Sequence, residues 1–512
     1  MSTATAPAHP AAYRELVDHA SEINLLRTSE QLLEWDQDTM MPPGGMQFRA
    51  RQLAALAGIV HERFTSRKIG DLLAACEADA GLMADALSAE ATNVRELRRQ
   101  YDRQTRLPAE LVHAFTETTA TARARWAEAR SSNDFSLFAP WLDKIVDLNR
   151  RRAECFGHAS DGEPWDALAE GFEPGCTAAY VRGVFEPLRG RLVELVARIG
   201  ASKRLPADVL HGVKLPVERQ VGFVREVAEA IGFDFSRGRL DVSAHPFCSG
   251  THCNDVRLTT RFREDACLDA LGSTLHEAGH GLYEQGLCPE QIGLPAGESV
   301  SLSIHESQSR LWENMVGRSA WFWTWLTDRF NTAFGPWSGT LTAEQLYAAS
   351  NQVKPSLIRV EADEVTYNLH IMIRFELERL FLKGDLRAAD LPGEWNRRYH
   401  EYLGVEVPDD ARGCLQDIHW SMGAMGYFPT YTLGTMYAAQ FFDAARRAMP
   451  DLPEQIARGE FGHLLEWLRE AIHRRGRRLL AEPLCKVVTG EGLSAEPLLR
   501  HLEQKFVPLY GL

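Results

Sequence analysis

The chain has 512 residues, 45% hydrophobic and 25% charged, ordinary values for a globular protein able to bury a large core. Its 56 Lys and Arg against 70 Asp and Glu leave a net charge of −14, so it has no global attraction to nucleic acid or to an anionic membrane. No apolar run is long enough to span a bilayer. The opening MSTATAPAHPAAY lacks the basic and apolar regions of a secretory leader. Nine scattered Cys with no CxxC pair fit free thiols in a reducing compartment. The expectation is a cytoplasmic protein with no nucleic-acid or membrane partner.

In chain order, most segments predict helix. Ser88–Arg106 and Pro108–Ser131 are rich in Ala, Glu, Arg and Leu, which lose little entropy in helices. A stripe including Leu142, Ile145 and Val146 predicts a helix that stops near Gly157. Helical patterns resume at Cys176–Gly200, Val217–Gly232 and Pro355–Gly384. Met41–Gly45 (MPPGG) and Arg204–Pro206 read as turns. Asp255–Phe262, DVRLTTRF, is rich in β-branched residues and follows the turn-rich CSGTHCN, so it predicts a strand. The fold class expected is mainly α, a large helical protein with a small sheet beside the helix that carries residues 276–280. Residues 1–512 read as one unit, compatible with two lobes flanking a cleft, with the candidate site within 265–315.

Residues 276–280 read HEAGH. Two His four apart project from one helical face and can reach one ion, and neutral imidazole suits Zn²⁺. Glu277 sits where it can take a proton from an activated water. Leu268, Leu271, Leu275, Ala278 and Leu282 form one apolar stripe, roughly 150° from the two His. Gly279 and Gly281 weaken that helix by about 1 kcal/mol each relative to Ala, a cost that close approach of substrate or another backbone would explain. The plain alternative is a pair of ordinary helix histidines.

A catalytic zinc site has three protein ligands and an open position. Ser303–Asn314, SIHESQSRLWEN, predicts a helix with Ile304, Leu311, Trp312 and Met315 on one face and Glu306, Arg310 and Glu313 on the other. Glu306 is the expected third ligand and Glu313 an acceptor for a ligand imidazole. The alternative for Glu306 is a solvated helix carboxylate.

Farther on, Arg359, Asp363, Thr366 and His370 share a face of the helix expected over Pro355–Gly384, opposite Ile358, Ala362, Val365, Leu369 and Met372. Arg359 can bind a peptide's terminal carboxylate, or else pair internally with Asp363. Gly413–Tyr431, GCLQDIHWSMGAMGYFPTY, is dense in Gly and aromatics. His419, Tyr427 and Tyr431 can donate to an oxyanion, although isolated aromatics are more often core residues.

These motifs resemble the carboxypeptidase Taq family of metallocarboxypeptidases. HPF at His245–Phe247, DVRLT at Asp255–Thr259, HEAGH, HESQ at His305–Gln308, IRVEAD at Ile358–Asp363 and GCLQDIHW at Gly413–Trp420 match its pattern in order. WDQDTMMPPGG at Trp35–Gly45 also looks like the family's. The resemblance implies a helical, saddle-like fold with a deep cleft, usually homodimeric. It implies release of C-terminal amino acids with broad specificity and poor action at proline. It carries His276, His280 and Glu306 over as metal ligands and Glu277 as base. It gives Arg359 a substrate-binding role, and His245, His419 and a Tyr of the Gly426–Tyr431 stretch an active-site role. Arg257, within the DVRLT match, joins Arg359 and His245 as a substrate-binding candidate. One Zn²⁺ per chain is the expected cofactor, with Co²⁺ as a substitute. Peptides with a free C-terminus are the expected substrates.

The mechanism expected is attack of an activated water with Glu277 as base, and Asp255–Phe262 can pair with extended substrate as an added strand. An endo-acting helical oligopeptidase would share the metal centre but ignore the terminal carboxylate. A peptide-binding scaffold with a structural metal would normally use four protein ligands, often including Cys.

Overall fold

A computed structural model describes residues 9–512; residues 1–8, part of the stretch read above for a leader, lie outside them. The fold is mainly helical with a single three-stranded sheet among the described residues. Contacts divide the chain into two units, each gathered from three segments. One comprises Met1–Thr105, Lys214–Val300 and Gly459–Leu480; the other comprises Arg106–Val213, Ser301–Arg458 and Ala481–Leu512.

Several helices end where their sequence says they must. The helix Ala139–Phe156 stops at Gly157, φ +77. Helices Ala89–Thr105, Ala109–Ser132, Ala178–Ala201 and Val217–Ala230 lie within a residue or two of their expected bounds. No helix is long and apolar enough to cross a membrane among the described residues.

In the first unit, β1 (Gly238–Val242), β2 (Cys248–His252) and β3 (Asp255–Thr260) form a sheet in the order β1-β3-β2. The expected strand is the central one, shortened to Asp255–Thr260. It pairs parallel with β1, Leu240 opposite Leu258, and antiparallel with β2, Gly250 opposite Val256. The CSGTHCN segment corrects the expectation of a turn-rich approach: its first five residues are a strand. Only Cys253 and Asn254 turn, helped by a bond from Asn254 N–H to His252 Nδ1 at 3.1 Å. Pairing with β3 outweighs the weak strand preference of Ser and Gly.

Val256 and Leu258 are wholly buried and pack under the helix Cys267–Gly286. Gly281 makes that packing possible. A Cβ there would stand 2.9 Å from Leu258 Cδ2 and 2.7 Å from Phe233 Cε2. For Gly281, core side chains supply the crowding, where substrate or another backbone was expected.

In the second unit, the helix Leu302–Arg310 continues as a π-helix, Leu311–Gly317. Ile304, Leu311, Trp312 and Met315 are buried as expected, but so are Glu306 and Glu313. The polar face is therefore no solvated one.

The helix expected over Pro355–Gly384 is shorter: it covers only Tyr367–Lys383, preceded by a 3₁₀ turn at Arg359–Glu361. Asp363 breaks it. Its carboxylate accepts from Val365 N–H and Thr366 N–H, both at 3.0 Å, from the Thr366 hydroxyl at 2.9 Å and from Lys354 N–H at 3.1 Å. Asp side chains compete in this way with the backbone bonds a helix needs. Arg359, Asp363, Thr366 and His370 thus share no helical face, nor do Ile358, Ala362, Val365, Leu369 and Met372. The internal Arg359–Asp363 pair does not form either.

Candidate metal centre

The helix Cys267–Gly286 presents His276 and His280 half-buried, their ring centroids 4.9 Å apart and the planes at 86°. Glu277, on the same turn, is 6% exposed. The thiol of Cys248 on β2 is pushed well up by burial, with the charge of Glu277 adding to the effect.

Glu306 is 5% exposed on the helix Leu302–Arg310. Its Oε2 accepts from the Ser309 hydroxyl at 3.0 Å and its Oε1 from Arg310 Nε at 2.7 Å. Arg310 also donates to Glu313 at 3.0 Å, and Arg318 reaches Glu313 at 3.2 Å. Two carboxylates and two guanidiniums alternate in a chain, which compensates charges that would otherwise be expensive to bury.

One ligand atom from each of His276, His280 and Glu306 lies within 4.8 Å of the others. Donors bound tetrahedrally to one ion at about 2.1 Å stand roughly 3.4 Å apart, a spacing that small rotations of these side chains reach. Two imidazoles and one carboxylate are a donor set suited to a divalent ion with a coordination position to spare. The residues fit a catalytic metal. Among the described residues, no other trio of His, Cys, Asp or Glu side chains converges in this way.

A family model of the carboxypeptidase Taq (M32) metallopeptidases matches residues 15–506. The chain belongs to this family. The M32 chain is 44% identical over 509 residues to thermostable carboxypeptidase 1 of Thermus thermophilus, covering 98% of this chain and 99% of that one. It is 34% identical over 500 residues to carboxypeptidase 1 of Bacillus subtilis, with 98% and 99% coverage. Its fold matches the crystal structure of the M32 carboxypeptidase of Deinococcus radiodurans with a TM-score of 0.94 at 41% identity, covering 98% of this chain and all of that one. The protein is a metal-dependent carboxypeptidase.

The other residues singled out in this carboxypeptidase fall into two groups. In the second unit, Arg359 is 6% exposed and its Nε donates to Asp417 at 2.9 Å. Arg374 grips the other oxygen of Asp417 at 2.7 Å. The two guanidiniums hold the Asp417 carboxyl far below the usual carboxylate range despite its burial. Two cations on one anion leave a net positive charge. The Arg359 guanidinium also lies over the rings of Tyr431, 5.3 Å, and Phe428, 5.7 Å.

Tyr431 donates to Tyr427 at 3.5 Å, and the His419 ring lies 5.4 Å from that of Tyr427. Burial pushes Tyr427 up, with the charge of Glu306 contributing. Burial lowers His419 to about 4, so its imidazole is neutral at pH 7. Arg359, His419, Tyr427 and Tyr431 therefore form one cluster.

In the first unit, Arg257 on β3 forks onto Asp255 at 2.9 and 3.0 Å and stacks 4.4 Å from the Trp35 ring. His245 is exposed after β1, its carbonyl accepting from the Ser243 hydroxyl.

Three residues escaped sequence reasoning. Gly434, in the helix Pro429–Ala448, stands so close to Glu306 that a Cβ would lie 2.5 Å from its Cβ and 2.6 Å from its Cγ. A glycine inside an apolar helix was the available signal. Glu378 accepts from Trp165 Nε1, Trp420 Nε1 and Gly426 N–H at 3.1, 3.0 and 2.9 Å, tying down the loop before Tyr427. Glu173 gave no signal at all.

Proposed function

We propose that this enzyme releases C-terminal amino acids from peptides with broad specificity and poor action at proline, using one Zn²⁺ held by His276, His280 and Glu306. The observation that carries the reading is the convergence of those three donors. Co²⁺ is an expected substitute for zinc at such a donor set. When bound, the metal supplies Lewis acidity toward the scissile carbonyl and lowers the pKa of water toward neutrality.

The chain's own groups do the rest. Glu277, buried beside the ligand pair, takes the proton from the attacking water and returns it to the departing amine. The hydroxyls of Tyr427 and Tyr431, with neutral His419 beside them, supply donors toward developing negative charge on the carbonyl oxygen. The net positive charge of Arg359 and Arg374 against Asp417 attracts the terminal carboxylate and sets the cut one residue from the end. Exposed His245 is a direct substrate contact in this reading. Arg257, already engaged by Asp255 and Trp35, serves substrate through the strand it holds. A homodimer is carried over from the family, and light scattering tests it.

The deciding experiment is mass spectrometry of a mixed peptide pool, with and without chelator, including C-terminally amidated copies. Stepwise, chelator-sensitive loss from free C-termini is expected. Equal cleavage of amidated peptides at internal bonds would refute the exopeptidase reading.

A further inference from the structure

The helix that carries Glu306 begins with two buried serines, Ser301 and Ser303, flanking an exposed Leu302. Ser301 caps it, its hydroxyl oxygen accepting from Ile304 N–H at 3.3 Å. Another free amide of the first turn, Ser303 N–H, donates to Glu173 Oε2 at 3.0 Å. The Ser301 and Ser303 side chains also favour the charged form of this carboxylate, against the upward push of burial. Helix starts leave such amides without intrahelical partners, and an anion is favoured there.

The choice of residue is the telling feature. Glu173 is 4% exposed. Its partners are the serines of this first turn, and it forms no salt bridge among the described residues. Two other buried carboxylates of this protein are paired with cations, Glu364 with Lys505 at 2.6 Å and Asp417 with Arg359 and Arg374, whereas Glu378, like Glu173, has only neutral donors. The groups that do sense Glu173 offer no compensation. Glu170 raises it further, the Cys176 thiol and the Tyr437 phenol are pushed up by burial with the charge of Glu173 adding to the effect, and Tyr180 and Cys485 stand around Tyr437. A neutral Asn or Ser would cap a helix at less cost. On the far side, the backbone at Gly434 presses on Glu306 and on the Ser303 carbonyl. The helix is therefore fixed at its first turn and along its flank.

We propose that Glu173 is a positioning residue for the metal centre: by holding the first turn of the helix Leu302–Arg310, it sets where Glu306 presents its carboxylate. The proposal rests on Glu306 being a metal ligand.

The test titrates metal-free wild type, E173A, E173Q and E306Q with Zn²⁺ against a competing chromophoric chelator, and follows amide exchange of the metal-free proteins. E173A should bind Zn²⁺ at least about tenfold more weakly, the range seen when groups supporting metal ligands are removed. Its amides in 301–310 should exchange faster while those in 267–286 stay at the wild-type rate. E173Q keeps an acceptor for Ser303 N–H and should recover affinity to within about threefold of wild type. A Zn²⁺ affinity for E173A within about twofold of wild type, or a loss that E173Q does not recover, overturns the proposal. Should E173A fail to fold, E173D replaces it with the same thresholds, because it draws the carboxylate back by one methylene. E306Q is the separate control: wild-type Zn²⁺ affinity there would sink the ligand assignment, whatever Glu173 does.

Discussion

Charge and burial decide what single residues do in this protein. Glu277→Gln keeps the shape beside His276 and His280 but removes the carboxylate proposed as base. It should retain one metal per chain and lose about 10²–10⁴ in kcat; metal analysis alongside steady-state kinetics checks both halves. Arg359→Ala removes one of the two cations on Asp417. It should lower kcat/KM on free-carboxylate peptides by at least tenfold without changing metal content, since it touches none of the three proposed ligands. Glu173 gives a pH prediction. Burial raises it from 4.5 to about 7, so the folded chain holds this proton more tightly than the unfolded one. Its contribution to stability is full below about 4.5 and lost as pH rises through about 7. Metal-free E173Q should therefore melt level with wild type near pH 4.5 and above it at pH 8, by on the order of 1–3 kcal/mol. A gap that stays constant across this range would disprove the assignment.

Elements are held in place here by a few close contacts. Gly434→Ala should push the helix Leu302–Arg310 away from Pro429–Ala448, because the new methyl meets Glu306 Cβ and the Ser303 carbonyl. Overpacking costs about 1–3 kcal/mol, and Zn²⁺ affinity measured by chelator competition should fall at least tenfold. Glu378→Gln turns one acceptor oxygen into a donor amide, and its three partners are all donors. It should destabilise by about 1–3 kcal/mol, the cost of leaving a buried donor unmet, with a change in the near-ultraviolet signal of Trp165 and Trp420. The irregular run 355–366 shows why periodicity alone overreached. Its apolar spacing suits a helix, but the Asp363 carboxylate binds the amides of Val365 and Thr366 and starts the helix at Tyr367 instead. Similarly, Cys248–His252 looks like a turn in isolation and becomes a strand because β3 offers it a partner.

For the molecule as a whole, binding of a metal to the folded chain alone must raise its stability, by about 2.7 kcal/mol at a hundredfold excess over Kd. Zn²⁺ should thus raise the melting temperature of the metal-free wild type and leave E306Q nearly unmoved; equal shifts in both would place the ion elsewhere. Chain order and spatial neighbourhood part company at this scale, since each unit is built from three separated segments. The sequence by itself determined the helical class, the central strand, the HEAGH helix and which three side chains make up the candidate metal site, because helical period and ligand chemistry are local properties. Only the tertiary structure decided that Glu306 leans on Gly434, that Glu173 caps its helix, and that Arg359 pairs with Asp417 rather than Asp363. Those partners lie dozens to more than a hundred positions apart, and no spacing rule reaches across a folded core. Packing chose them, by deciding which buried charges and amides had to satisfy one another.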